Sequence, residues 1–166
     1  MFKQKNAVRS HAYVKKIAVG GVIAALYAAL SIINIPISFF QVRPAEALCV
    51  LAIFTPAAVP GLFVGCLLAN YLTGCLWQDI VFGSLATLLG ALLTYLLRKK
   101  PFLAVLPPVL TNGAIIPPVL IYAYAVPDGY FFLLGSVVVG EILSASLLGY
   151  LLYRAGRKNF ERFLSA

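Results

Sequence analysis

The sequence predicts an all-α integral membrane protein of six transmembrane helices with both termini in the cytoplasm. Three observations carry that reading: the apolar content, its arrangement in long runs, and the positions of the basic residues. The chain has 166 residues, 62% of them hydrophobic, and a mean hydropathy of +0.97. A soluble domain of this size keeps too large a surface to hide so much apolar material. Charged residues make up only 11% of the chain and fall between the apolar runs, a pattern that lipid solvates. No polar linker divides the chain, so residues 1–166 read as a single membrane domain.

A net charge of +8 would point to nucleic acid in a soluble protein. Here the cations gather at Lys3, Lys5, Arg9, Lys15 and Lys16, at Arg98 to Lys100, and at Arg154, Arg157, Lys158 and Arg162. These positions flank apolar runs, where Lys and Arg mark the cytoplasmic side, so no nucleic-acid partner is expected. The first apolar run, Ile17 to Ile33, is too long for a signal-peptide core and has no small-residue cleavage site after it. It reads as a retained span. Cys49, Cys66 and Cys75 lack CxxC spacing and read as small core residues, not as a disulfide or metal framework.

The apolar segments run over 14–35, 45–55, 59–74, 79–97, 102–126 and 129–153. Four of them are long enough to cross a ~30 Å core at ~1.5 Å per residue. Ala45 to Gly74 is ambiguous, either one long helix or two short ones broken at Thr55 to Gly61. Charge parity decides. With the N-terminus inside, two helices place both later basic clusters inside, whereas one helix places both outside. The Pro/Gly cluster is also a good helix breaker. Each short helix then covers only ~20 Å.

Small residues recur every four positions. In the first helix Gly20, Ala24 and Ala28 make one stripe, and Gly21, Ala25 and Ala29 make a second. The third helix carries Gly61, Gly65 and Ala69, and the sixth Ser136, Gly140 and Ser144. Such stripes allow close helix packing in lipid. With two stripes on the first helix, one is available to pack inward and the other to face a partner subunit.

Outside the basic clusters the polar residues collect on the outer side. The first outer connection holds Asn34, Gln41, Arg43 and Glu46; the second holds Asn70, Thr73, Trp77, Gln78 and Asp79; the third holds Asp128. Glu141 lies near the middle of the sixth span, where an ionisable group is costly unless paired or facing a cavity. Asn112 is similarly deep in the fifth span, between Pro107-Pro108 and Pro117-Pro118, which should kink that helix. For Glu141, ligand contact stands against a structural bond to Asn112, Tyr or Ser. Arg43 and Glu46, three residues apart, make either a local ion pair or a direct contact. Trp77 also suits membrane-interface anchoring, and Asp79 also suits the start of a helix.

Enzyme signatures are missing from the sequence. The one histidine, His11, precedes the first span, and no GxxxxGK[ST] loop is present for ATP hydrolysis. No metal or cofactor is called for. A stand-alone secondary carrier, or an intramembrane enzyme using Glu141, is one reading of the buried carboxylate; no inverted repeat is evident in the carrier's favour.

Three stretches in order resemble the QueT family: Gln41-Val42-Arg43-Pro44-Ala45-Glu46-Ala47-Leu48; Phe54-Thr55-Pro56 through Pro60-Gly61-Leu62-Phe63-Val64-Gly65 to Ala69-Asn70; and Asp79-Ile80-Val81-Phe82-Gly83-Ser84-Leu85-Ala86-Thr87-Leu88-Leu89-Gly90. The resemblance runs over residues 10–156. It implies a substrate-binding S-component of an energy-coupling factor (ECF) transporter in the bacterial plasma membrane. The implied ligand is a queuosine precursor of the 7-deazaguanine class. The implied partners are a transmembrane coupling subunit, met through an AxxxA surface (Ala24 with Ala28, or Ala25 with Ala29), and two cytoplasmic ATPases. The ligand-binding candidates are then Glu141, Glu46, Arg43, Asn70, Trp77, Asp79 and Asn112. A carboxylate matches the N1–H and exocyclic amine of such a ring, and Trp77, Phe39, Phe40 or Tyr122 could stack on it.

Overall fold

The computed structural model describes residues 2–32, 35–37 and 40–164, with side chains over 13–32 and 42–164. Of the outer-side residues predicted above, Asn34 and Phe39 lie outside the described residues, as do the side chains of Phe40 and Gln41. Helix α1 spans Phe2–Ile32. A short hairpin follows, β1 Ile35–Ile37 and β2 Phe40–Val42, antiparallel with Ile35 opposite Val42. It is the one strand-bearing element among the described residues and is absent from the sequence reading.

The ambiguous Ala45–Gly74 stretch forms two helices. The first is a 3-10 helix, Pro44–Ile53, and the second is α2, Ala58–Leu72. Pro44 suits a first helical position, where its missing N–H costs nothing. A ten-residue 3-10 helix is unusual, because such runs rarely exceed a few residues. Its rise of ~2 Å per residue carries ten residues ~20 Å, where an α-helix would reach only ~15 Å. The tighter winding therefore offsets the shortness of the segment. Ala45 through Ala52 are all buried, and the helix packs inside the bundle against α1, α2, α3 (Trp77–Leu96) and the last helix.

The predicted fifth span divides into α4, Pro101–Ala104, and α5, Pro107–Tyr122. The break leaves carbonyls without helical donors, and two hydroxyls from neighbouring elements satisfy them. Thr94 donates to the Ala104 carbonyl at 2.8 Å and Ser146 to the Val105 carbonyl at 3.0 Å. Pro117 and Pro118 stand inside α5, which continues to Tyr122; without N–H groups they leave the carbonyls four residues back unbonded by the helix. The last helical stretch comprises α6 Tyr130–Glu141, a π-helical segment Ile142–Leu148, and α7 Gly149–Leu164.

Four stretches among the described residues are long and apolar enough to cross a membrane: Tyr13–Ile32, Trp77–Leu96, Pro101–Tyr122 and Tyr130–Leu164. Pro44–Ile53 and Ala58–Leu72 are apolar but shorter. Neighbours in space are α1 with α2, α2 with α3, α3 with α5, and α5 with α6. The small-residue stripes of α1 and α2 approach closely. A Cβ on Gly61 would sit 2.6 Å from the Gly20 carbonyl oxygen, and one on Gly65 2.8 Å from that of Ala24. Backbone contact of this kind supplies the dispersion that holds helices together in lipid. It places Ala24 inside the molecule, with Ala28 partly buried, and leaves Gly21, Ala25 and Ala29 exposed.

The basic clusters gather at one end. Lys16 shares a groove with Pro56, Ala57 and Pro60, and Arg98, Lys99 and Arg157 border a cavity with Ile53 and Phe54. The hairpin, the α2–α3 turn and the α5–α6 connection lie at the other.

Candidate functional site

The polar interior is built around Glu46, in the first turn of the 3-10 helix and 1% exposed. Its Oε1 accepts from the hydroxyl of Tyr27 on α1 and from Thr87 Oγ1 on α3 at 3.4 Å. Its Oε2 accepts from the Cys49 thiol at 3.3 Å. In a 3-10 helix residues three apart eclipse one another, which is why Cys49 stacks on Glu46. Thr87 also lies 3.4 Å from the Cys66 sulfur. These partners are neutral, so hydrogen bonds hold the carboxyl and no contacting cation does.

Arg43 does not make the local pair with Glu46 that their spacing allowed. It precedes the 3-10 helix with φ −107° and ψ 97°, and this extended backbone carries it off the helix face. Its guanidinium lies 4.0 Å from Asp79 Oδ2 instead. Burial works against the Arg43 charge, but Asp79, with help from Glu46, more than offsets it and raises its pKa above the ordinary value. Asp79 is 4% exposed in the first turn of α3. It accepts from the Tyr124 hydroxyl at 3.2 Å, and its carboxylate caps no helix. Tyr124 in turn accepts from the Leu76 N–H at 3.1 Å, and Asn70 Nδ2 donates to the Asp79 carbonyl at 3.2 Å. A cavity of about 230 Å³ opens here, lined by Tyr27, Ser31, Arg43, Asn70, Thr73 and Cys75 among others.

Glu141 closes α6 where the winding changes to π, a change that recurs at functional sites. It is 4% exposed, and Asn112 on α5, 3% exposed, lies beside it. Glu46 and Arg43 are close enough to act on its charge. Among the described residues, four buried polar atoms have no hydrogen-bond partner: Glu141 Oε2, Asn112 Nδ2, Asp79 Oδ1 and Gln78 Oε1. Buried polar groups are nearly always bonded, and leaving one unmet costs about 1–3 kcal/mol. Gln78 borders a separate apolar groove with Phe82 and Tyr122, whereas Glu141 and Asn112 lie together deeper in the bundle.

The structure thus joins Glu141, Asn112, Glu46, Arg43, Asp79 and Asn70 in one polar region. Trp77 does not join it, being 66% exposed at the start of α3, and Tyr122 is 87% exposed. Neither offers an inward stacking platform; side chains that start or end an α-helix at the bundle rim have lipid or solvent before them. Sequence reasoning missed Tyr27, Thr87 and Tyr124, and treated Cys49 and Cys66 as packing alone. Tyr27 was accessible to it, because it follows Ala24 at helical spacing on the buried stripe. Thr87 and Tyr124 become partners only through long-range packing.

Searches of curated proteins and of solved structures each return no significant match. The profile of the QueT transporter family matches residues 17–158, most of the chain and all of the polar region. This chain, with its polar centre inside a bundle of apolar helices, belongs to the QueT transporter family.

Proposed function

We propose that the chain is the substrate-capture (S) component of an ECF-type importer in the bacterial plasma membrane. It takes up a queuosine precursor of the 7-deazaguanine class from outside. Six helices span the bilayer, the 3-10 helix and α2 among them, and both termini are cytoplasmic. The shared end of the basic clusters supports that orientation. A transmembrane coupling subunit and two cytoplasmic ATPases supply the energy, since the sequence holds no phosphate-binding loop.

One observation carries the ligand reading: Glu141 and Asn112 are buried side by side, each with a polar atom free. A 7-deazaguanine edge offers a keto oxygen next to N1–H and an amine. Asn112 Nδ2 donates to the first, and Glu141 accepts from the others in charge-assisted bonds. Arg43, Asp79, Asn70 and Glu46 complete the polar wall, while Trp77 serves as an interface anchor. Uptake of labelled precursor by cells expressing the chain tests the proposal. Uptake that requires both the chain and the coupling module supports it. Uptake driven by a pH gradient in vesicles holding this chain alone would instead make it a secondary carrier working through Glu141.

A further inference from the structure

At the basic end of the bundle lies a cavity that ligand capture does not use. It measures about 440 Å³, with Ile53 and Phe54 on its apolar side and Arg98, Lys99, Arg157 and Glu161 around it. Two stretches far apart in the chain supply these charges. Arg98 and Lys99 come from the turn after α3, and Arg157 and Glu161 from α7. A topology signal needs cations near the cytoplasmic side, but it does not need them to converge on one cavity. Arg154 and Lys158, also on α7, meet the first condition and do not line the cavity.

Two of the three cations are held in place. The Arg98 guanidinium lies 4.2 Å from the centre of the Tyr95 ring, and its Nη1 donates to the Tyr95 carbonyl at 3.0 Å. Arg157 Nε donates to Glu161 Oε1 at 2.8 Å, and its guanidinium lies 5.9 Å from the centre of the Tyr153 ring. A planar guanidinium fixed in this way has less freedom to lose when it meets a phosphate. Three cations against one carboxylate leave the cavity positive. Leu96, Leu97 and Phe102, next to the basic turn in the chain, are exposed and apolar.

We propose that this cavity binds the phosphate head group of an anionic phospholipid of the inner leaflet. Arg98, Lys99 and Arg157 take the phosphate oxygens in charge-assisted bonds, as basic pockets between membrane helices do for lipid head groups. The exposed apolar side chains beside the cations favour a lipid over a soluble phosphate, because acyl chains then have hydrocarbon to lie against. The proposal rests on the membrane orientation given above and is independent of what ligand the chain captures.

The test titrates the full chain in detergent with phosphatidylglycerol, phosphatidylcholine and glycerol 3-phosphate, and follows the melting temperature, which rises when a ligand binds the folded state. Phosphatidylglycerol should raise it saturably, and the other two should not. Arg98→Gln combined with Arg157→Gln should weaken the phosphatidylglycerol affinity roughly thirtyfold, about fivefold per cation. Arg98→Gln combined with Lys99→Gln, which leaves α7 intact, should give a similar loss. Arg154→Gln combined with Lys158→Gln removes the same charge from outside the cavity and should stay within about threefold of the parent. Equal losses inside and outside the cavity overturn the site in favour of diffuse surface charge. Stabilisation by glycerol 3-phosphate as strong as that by the lipid overturns the lipid assignment, and no stabilisation by phosphatidylglycerol overturns the proposal. Each of these outcomes leaves ligand capture, which rests on Glu141 and Asn112, untouched.

Discussion

Asn112 of α5 lies beside Glu141 of α6, and each keeps one buried polar atom unbonded: Nδ2 of the amide and Oε2 of the carboxyl. A fold selected for stability alone would match these groups or replace them with hydrocarbon. Glu141→Leu and Asn112→Leu should therefore raise the apparent melting temperature of the ligand-free protein, each removing about 1–3 kcal/mol of unmet polarity. The same changes should weaken ligand binding by roughly ten- to a hundredfold, as expected for losing a charged or neutral hydrogen bond. Thermal unfolding in detergent and a binding titration read the two effects. Opposite signs mark a binding role, whereas parallel losses mark a structural one.

The contact of α1 with α2 gives a second prediction. Gly61→Ala places a Cβ 2.6 Å from the Gly20 carbonyl oxygen, a backbone atom that cannot swing away. The helices must separate, at a cost of about 1–3 kcal/mol. Gly21→Ala meets nothing within 4 Å and should not lower the melting temperature, since Ala is the better helix former.

The broken fifth span supplies a third. Thr94, 0% exposed, is the side-chain donor to the Ala104 carbonyl at the break. Thr94→Val keeps the shape and removes the donor, so the protein should lose about 1–3 kcal/mol. Thr94→Ser, which keeps the hydroxyl, should recover most of that in the same unfolding assay.

The proposed docking of a coupling subunit would use only one of the two stripes of α1. Ala25 and Ala29 are exposed, whereas Ala24 is 6% exposed and packs on Gly65. Ala25→Trp or Ala29→Trp should abolish uptake while ligand binding by the purified chain stays unchanged. Ala24→Trp should damage folding itself, visible as lost expression or a lowered melting temperature. Uptake that tolerates Trp at both exposed positions removes this face as the docking surface.

How much of this was written in the sequence depends on the range of the interactions. The Thr55–Gly61 cluster and Pro107-Pro108 mark helix breaks through local backbone chemistry, and the structure has breaks at both. Glu141 and Asn112 stand out because polar residues deep in apolar runs are rare. The 3-10 winding of Pro44–Ile53 was not legible, since composition does not encode whether a carbonyl bonds three or four residues ahead. The hairpin escaped because its strands are three residues each, with Pro36 in the first. The Arg43–Glu46 spacing misled for a related reason. An i, i+3 rule assumes that both residues are helical, and Arg43 is extended. Trp77 reads as part of the outer connection but is the first residue of α3, and only the packed fold shows which way a rim residue turns.

The central claim is that this chain captures its ligand by itself. The direct measurement is equilibrium binding of 7-deazaguanine precursors to the detergent-purified protein with neither ATP nor partner subunits present. Saturable binding of one ligand per chain, weakened by Glu141→Gln in a protein that remains folded, is the predicted result. No saturable binding of any 7-deazaguanine, with or without an amine or nitrile arm, would contradict the account.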